Sequence, residues 1–290
     1  CLARAAAWQP HTNAMVLADA QAAHAAAQAS TARWASGKPL GPLDGIPLTL
    51  KDNLHAAGWP TSWGSRVMDP APQARDELPV ARLRAAGAVI FGKTNLPEFA
   101  TQGYTHNALH GTTRNPWDLD LTPGGSSGGA VAAVAAGCGP MALVTDGGGS
   151  ARRPASHTGL VGFKPSGGVV PRADGLPEIF LDYEVVGAVA RKVRDVAMLM
   201  QAVAAPGALA GDEAVAAARI LYVPRLASHP VDAGITAQVQ DVARRFEAMG
   251  HLVEASGRFE LAEEVNTLWP VLSQTGLAAM FAQMRRLSGE

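Results

Sequence analysis

Two glycine-rich segments carry serines that could do nucleophilic chemistry: LTPGGSSGGA at residues 121–130 and TDGGGSARRPAS at residues 145–156. In the second, Ser150 follows three glycines that end a strand-like run, MALVTD. Glycines let successive backbone N–H groups turn toward one point with no side chain in the way. That arrangement can hold a developing oxyanion, so Gly147, Gly148 and Gly149 are candidate donors and Ser150 a candidate nucleophile. A serine hydroxyl still needs a base. Lys51 follows IPLTL, a segment patterned as a short strand that would carry the amine into an apolar interior. Desolvation there favours the neutral amine, which can accept a proton near neutral pH. Asp52, next along an extended segment, should point to the opposite face and leave Lys51 without a counter-ion. The same local pattern also fits a snorkelling or salt-bridged lysine, and both readings stand at this point.

The first segment admits other chemistries. A phosphate cradle would need GxxxxGK[ST], yet no lysine follows the loop until Lys164. Gly125, Ser127 and Gly129 formally satisfy the GxSxG pattern of a nucleophile elbow. The lead-in NPWDLDLTP is polar and bracketed by prolines, whereas an elbow needs an apolar strand running straight into it. Asp146, His157, His229 and His251 are downstream acid and base candidates, with no pairing singled out. A Ser-His-Asp hydrolase is therefore the runner-up mechanism. The eight histidines show no HExxH or other ligand spacing, and no metal or other cofactor is expected. His106 and His110 lie in a Gly/Asn-rich loop and read as loop hydrogen-bonders.

The elements that must position these residues alternate along the chain. Residues 14–28 read as an alanine-rich helix, IPLTLK as a strand, and LPVARLRAAG as a helix capped by Gly87. AVIFGK then reads as a strand. A loop-rich region from Thr94 to Gly125 leads into GAVAAVAAG, a helix of small residues, and then the strand MALVTD. Further on, VVGAVA, ARILYV and HLVEAS read as strands, and KVRDVAMLMQAVA and ITAQVQDVARRFEAMG as helices. Such alternation predicts an α/β fold around one mixed central sheet covered by helices on both faces. No solenoid repeat or long linker divides the chain, so residues 1–290 read as a single domain.

Composition excludes several function classes. Of the 290 residues, 48% are hydrophobic and 17% charged, against about 25% charged in typical soluble domains. The formal net charge of −1 offers no basic field for nucleic acid. Cys1 and Cys138 form neither a metal motif nor a disulfide framework, so a reducing, cytoplasmic location is expected. The most apolar stretch, Ala130 to Val144, is interrupted by Gly137, Gly139 and Pro140 and falls short of the ~20 residues of a membrane span.

Taken together, GPLDGIPLTLKDN, ARLRAAGAVIFGKTNLPEFA, GTTRNPWDLDLTPGGSSGGAVAAVAAG and TDGGGSARRPASHTGLVGFKPS resemble the amidase signature hydrolases, with the signature core at about 41–170. The 24-residue interval between Ser126 and Ser150 also matches that family's spacing. The resemblance implies a Ser-Ser-Lys triad. Ser150 would be the nucleophile, Ser126 a proton relay on a cis peptide bond, Lys51 the base, and Gly147, Gly148 and Gly149 with the Ser150 amide the oxyanion hole. It implies hydrolysis of a small carboxylic acid amide, with no cofactor. Two alternatives are the glutaminase subunit of a tRNA-dependent amidotransferase, which would need partner subunits, and a catalytically silent amidase-like binding protein. A homodimer is allowed for. Ser127 reads as a loop hydrogen-bonder and Asp146 as an acceptor for loop amides. Arg153 stands where many members carry an apolar residue. It would either line the acyl pocket and favour a polar or anionic substrate, or form a structural ion pair. Members of the family continue beyond QMRRLSGE, so part of the sheet and pocket is expected to lie outside this chain.

Overall fold

The computed structural model describes the chain except residues 176–179, 181–182, 210–215, 258, 260 and 289–290. The chain packs as two compact units, Cys1–Leu209 and Ala210–Glu290.

In the first unit the strands are β1 (Met15–Ala18), β2 (Pro47–Lys51), β3 (Val89–Thr94), β4 (His106–Asn107), β5 (Gly111–Thr112), β6 (Met141–Asp146), β7 (Val161–Phe163) and β8 (Val185–Ala190). The helices are α1 (Leu2–Thr12), α2 (Ala20–Ala35), α3 (Leu78–Ala85), α4 (Gly128–Ala135), α5 (Arg152–Thr158) and α6 (Val193–Val203). Six strands form one sheet in the order β1-β3-β2-β6-β8-β7. The centre, β3-β2-β6, is parallel, and β1, β8 and β7 add antiparallel neighbours. β4 and β5 form a separate small hairpin within the loop region.

All six residues of β6 are buried, and β2 and β8 are buried almost throughout. Side chains alternate across a strand, so burial of every position means cover on both faces. On one face Ala142, Val144 and Val189 pack against Ala130, Val131 and Val134 of α4 and Ala155 of α5. α6 packs against β6, β7 and β8 and is backed by α3. Small residues let α4 lie close to its neighbours. A Cβ on Gly129 would stand 2.3 Å from the backbone nitrogen of Asn95 and 2.6 Å from the carbonyl oxygen of Ala14.

The N-terminal reading needs correction. Residues 14–28 are not one helix: Met15–Ala18 is an edge strand on β3, and α2 begins after it. The boundary is Asp19, whose Oδ1 accepts the Ala22 N–H at 2.9 Å as an N-cap. The alanine run hid that cap, and α1 ahead of it went unread.

In the second unit, β9 (Arg219–Tyr222), α7 (Ala233–Ala248) and β10 (Leu252–Ala255) make a parallel βαβ unit, and α8 spans Leu261–Ser288. ARILYV and HLVEAS are therefore strands as expected, but they pair with each other in a two-stranded sheet of their own. Alternation along a chain reveals connectivity, not which sheet a strand joins.

Candidate active site

β2 and β6 are parallel neighbours, so their C-terminal ends lie at the same edge of the sheet. This is where open parallel sheets gather their functional loops. β2 ends on Lys51, and β6 ends on Thr145 and Asp146 before entering the 147–150 loop. The first glycine loop meets them from the start of α4. Its Gly125–Ser126 peptide is cis. A Cβ on Gly125 would lie 2.7 Å from the Tyr104 oxygen and 2.8 Å from the Gln102 oxygen, so that loop can seat only glycine there.

The structure brings Lys51 and Ser126 together. Lys51 is fully buried, and its Nζ donates to Ser126 Oγ at 2.7 Å and to Thr145 Oγ1 at 2.9 Å. A longer contact, 3.4 Å, reaches the Thr145 carbonyl. Burial lowers the Lys51 pKa to about 8, against the opposing attraction of Glu184 and Asp146. Among the described residues no carboxylate forms an ion pair with it. Asp52 turns away as expected and pairs with Lys93 of β3, Nζ to Oδ1 2.7 Å. Lys93 also donates to the Pro60 carbonyl at 2.6 Å and to Thr61 Oγ1 at 2.9 Å. The local pattern around Lys51 left a salt-bridged lysine open; here the salt-bridged lysine is Lys93.

Ser150 is partly exposed at the end of the second loop. Its carbonyl accepts the Ser127 N–H at 3.2 Å, which ties the two glycine loops together. Ser127 itself is buried, with its Oγ 3.4 Å from the Thr145 carbonyl. It is a loop tie rather than the exposed hydroxyl of a nucleophile elbow. His157, a base candidate for that mechanism, packs instead by Gly124.

Asp146 organises the second loop. Its carboxylate accepts the N–H groups of Gly149 at 2.8 Å and Ala151 at 3.0 Å, and a forked pair from Arg152 at 3.0 and 2.9 Å. These donors hold its pKa at about 2 against the opposing effect of burial. One expectation changes as a result: the Gly149 amide is committed to Asp146 and is not free to face a substrate oxygen. The amides of Gly147, Gly148 and Ser150 remain the candidates. Arg153 is exposed, donates to the Gly148 carbonyl at 3.0 Å and lies against Gly103. Among the described residues it joins no ion pair, so the structural ion pair considered for it is absent. His106 bonds to Thr112 Oγ1 at 2.8 Å, and His110 contacts Ser62 Oγ at 3.2 Å, both loop contacts.

Sequence reasoning missed Thr145, Asn53, Lys93 and Glu184. Thr145 could have been found, because it stands one residue before Asp146 on the strand that carries the loop. Glu184 had no local signal; its place depends on the antiparallel pairing of β8 with β6, which sets Val185 opposite Asp146.

Comparison with known proteins fits this geometry. The family model described as Amidase matches residues 1–288. A glutamyl-tRNA(Gln) amidotransferase subunit from Acidothermus cellulolyticus is 48% identical over 203 residues, which are 70% of this chain and 40% of that protein. The native peptide amidase from Stenotrophomonas maltophilia superposes with a TM-score of 0.79 at 31% identity, covering 98% of this chain and 63% of its own. A bacterial aryl acylamidase of the amidase signature family gives a TM-score of 0.82 at 28% identity, covering 98% and 62%. The chain thus spans less than half the length of the curated relative it matches.

Proposed function

Because the chain belongs to the amidase family, we propose that it is an amide hydrolase working through a serine acyl-enzyme. The observation that carries this reading is the buried 2.7 Å contact between Lys51 Nζ and Ser126 Oγ, with burial favouring the neutral amine. In the proposed reaction neutral Lys51 accepts the Ser126 proton as Ser126 accepts that of Ser150. Ser150 Oγ then attacks the amide carbonyl. The oxyanion is held by backbone N–H groups of Gly147, Gly148 and Ser150. On collapse the C–N bond breaks, the relayed proton leaves on the amine, and water hydrolyses the acyl-Ser150 ester by the reverse route. Thr145 and Asn53 support the lysine. Arg153, exposed at the loop, is the proposed contact for a polar or anionic acyl group.

We read both compact units as parts of one amidase signature domain, since the family model runs through them. The proposed setting is a reducing cytoplasm, with Cys1 and Cys138 as free thiols and a homodimer allowed for. Among the described residues no helix is long and apolar enough to cross a membrane.

Treatment with a fluorophosphonate, followed by peptide mass spectrometry, tests the mechanism. A label on Ser150 that is lost in Lys51→Ala is expected; a label on Ser127, or full labelling without Lys51, refutes it. A panel of aliphatic, aromatic and anionic amides then identifies the substrate. One observation favours a second reading: the curated relative at 48% identity is a component of a glutamyl-tRNA(Gln) amidotransferase. Glutamine-dependent ammonia release and co-purification with partner subunits would select it.

A further inference from the structure

Behind Lys51 lies a buried carboxyl group that the proposed reaction does not use. Antiparallel pairing sets Thr145 opposite Val186, so Glu184, two residues before Val186, emerges on the same face as Thr145 and beside Gly147. Packing agrees: a Cβ on Gly147 would lie 3.5 Å from Glu184 Cβ. Glu184 is 2% exposed, and its carboxylate takes a hydrogen bond from the Thr145 side chain. Its other oxygen, Oε2, has no hydrogen-bond partner.

The Thr145 hydroxyl has one hydrogen and two lone pairs. Lys51 Nζ and Asn53 Nδ2 each donate to its Oγ1 at 2.9 Å, which uses both lone pairs. A carboxylate can only accept, so the single hydroxyl hydrogen goes to Glu184. Thr145 therefore cannot donate to Lys51. A neutral Lys51 keeps two N–H groups, which match the two Thr145 oxygens, Oγ1 at 2.9 Å and the carbonyl at 3.4 Å. Its lone pair is left facing Ser126.

We propose that Glu184 is a positioning residue for Lys51: by holding the Thr145 hydroxyl hydrogen, its carboxyl group keeps that hydroxyl an acceptor and turns the amine lone pair toward Ser126. The proposal rests on Lys51 acting as the base. The charged groups around this chain of bonds are few. Glu184 and Asp146 both act on Lys51. Arg172, which donates to the Glu184 backbone carbonyl at 2.8 Å, also acts on Glu184, and Arg152 neutralises Asp146. Burial raises the Glu184 pKa while Lys51 opposes the rise. A proton carried on the unpartnered Oε2 would leave the bond from Thr145 intact, so the direction of the chain holds in either charge state.

Two substitutions separate the acceptor from the charge. Glu184→Gln keeps an acceptor oxygen and removes the charge. Glu184→Met fills similar volume and removes both. The rate of fluorophosphonate labelling of Ser150 is followed against pH for each, alongside Thr145→Val and the double variant. Glu184→Gln should keep the high-pH plateau and move the rising limb to lower pH, since a nearby opposite charge favours the ammonium form. Glu184→Met should lower the plateau by about 10- to 100-fold, as loss of a supporting hydrogen bond commonly does. Thr145→Val should lose as much, and the double variant no more. A lysine-selective 13C NMR titration follows Lys51 without turnover and should fall in Glu184→Gln. Folded Gln and Met variants that match the wild-type plateau and limb, or that lose equally, would overturn the proposal. So would an unmoved Lys51 titration. If wild-type labelling of Ser150 persists in Lys51→Ala, the amidase mechanism has failed rather than the role of Glu184 alone.

Discussion

Replacing Lys51 by Met should make the protein more stable near neutral pH while removing its chemistry. Lys51 is fully buried, and burial moves its pKa from the ordinary 10.5 to about 8. At 1.36 kcal/mol per pH unit, that difference is on the order of 3 kcal/mol of penalty on the charged form. Between pH 8 and 10.5 the unfolded lysine holds a proton that the folded one has released, so wild-type stability rises with pH across that window. Below pH 8 both states are protonated and the folded state carries the whole penalty. Met fills similar volume with no charge. It costs Ser126 and Thr145 one donor each, although Thr145 keeps Asn53. Each such bond contributes about 0.5–1.5 kcal/mol net, which leaves a gain of about 0–2 kcal/mol at pH 7. Urea unfolding of both proteins at pH 7 and pH 10 measures it. The advantage of Lys51→Met should shrink or reverse at the higher pH, where wild-type Lys51 folds neutral. A difference that does not change with pH would refute the claim that a desolvated ammonium is the cost.

Three further outcomes follow from the same geometry. Ser126→Ala should leave Ser150 as the labelled residue but slow fluorophosphonate labelling by about 10²–10⁴-fold, the usual value of general-base help; Ser127→Ala, which loses only a long loop tie, should slow it far less. Arg153→Ala should lower kcat/KM for anionic amides more than for neutral ones, whereas an equal fall on both, measured on matched substrate pairs, would mark Arg153 as support for the Gly148 carbonyl. Gly129→Ala should cost about 1–3 kcal/mol or more in chemical denaturation, because its methyl meets the Asn95 and Ala14 backbones, which have no rotamer to yield.

What the sequence made legible were the features written locally. Apolar alternation placed β2, β3, β6 and β8, and glycine runs placed both loops. The opposite orientation of Asp52 was also readable, because a strand alternates regardless of context. The features set by pairing between distant segments were not readable. Glu184 reaches Thr145 only because β8 runs antiparallel to β6 in one register. The Gly149 amide looked as available as its neighbours, and only Asp146 folding back onto the loop shows that it is spent. Asp19 was hidden for a different reason: alanine on both sides masked the break between an edge strand and a helix.

Lys51 and Lys93 form a pair of opposites inside one sheet. Both amines are buried, both are lowered by desolvation, and they sit on adjacent strands. Only Lys93 has a carboxylate in contact, at 2.7 Å. Electrophiles combine with amines through a free lone pair, so the two should differ sharply toward a small acylating or carbonyl reagent. Lys93 is locked as an ammonium by Asp52, while Lys51 offers a lone pair in mildly basic solution. A covalent inhibitor anchored on Ser150 could thus carry a second, lysine-directed group and engage one buried amine while sparing the other.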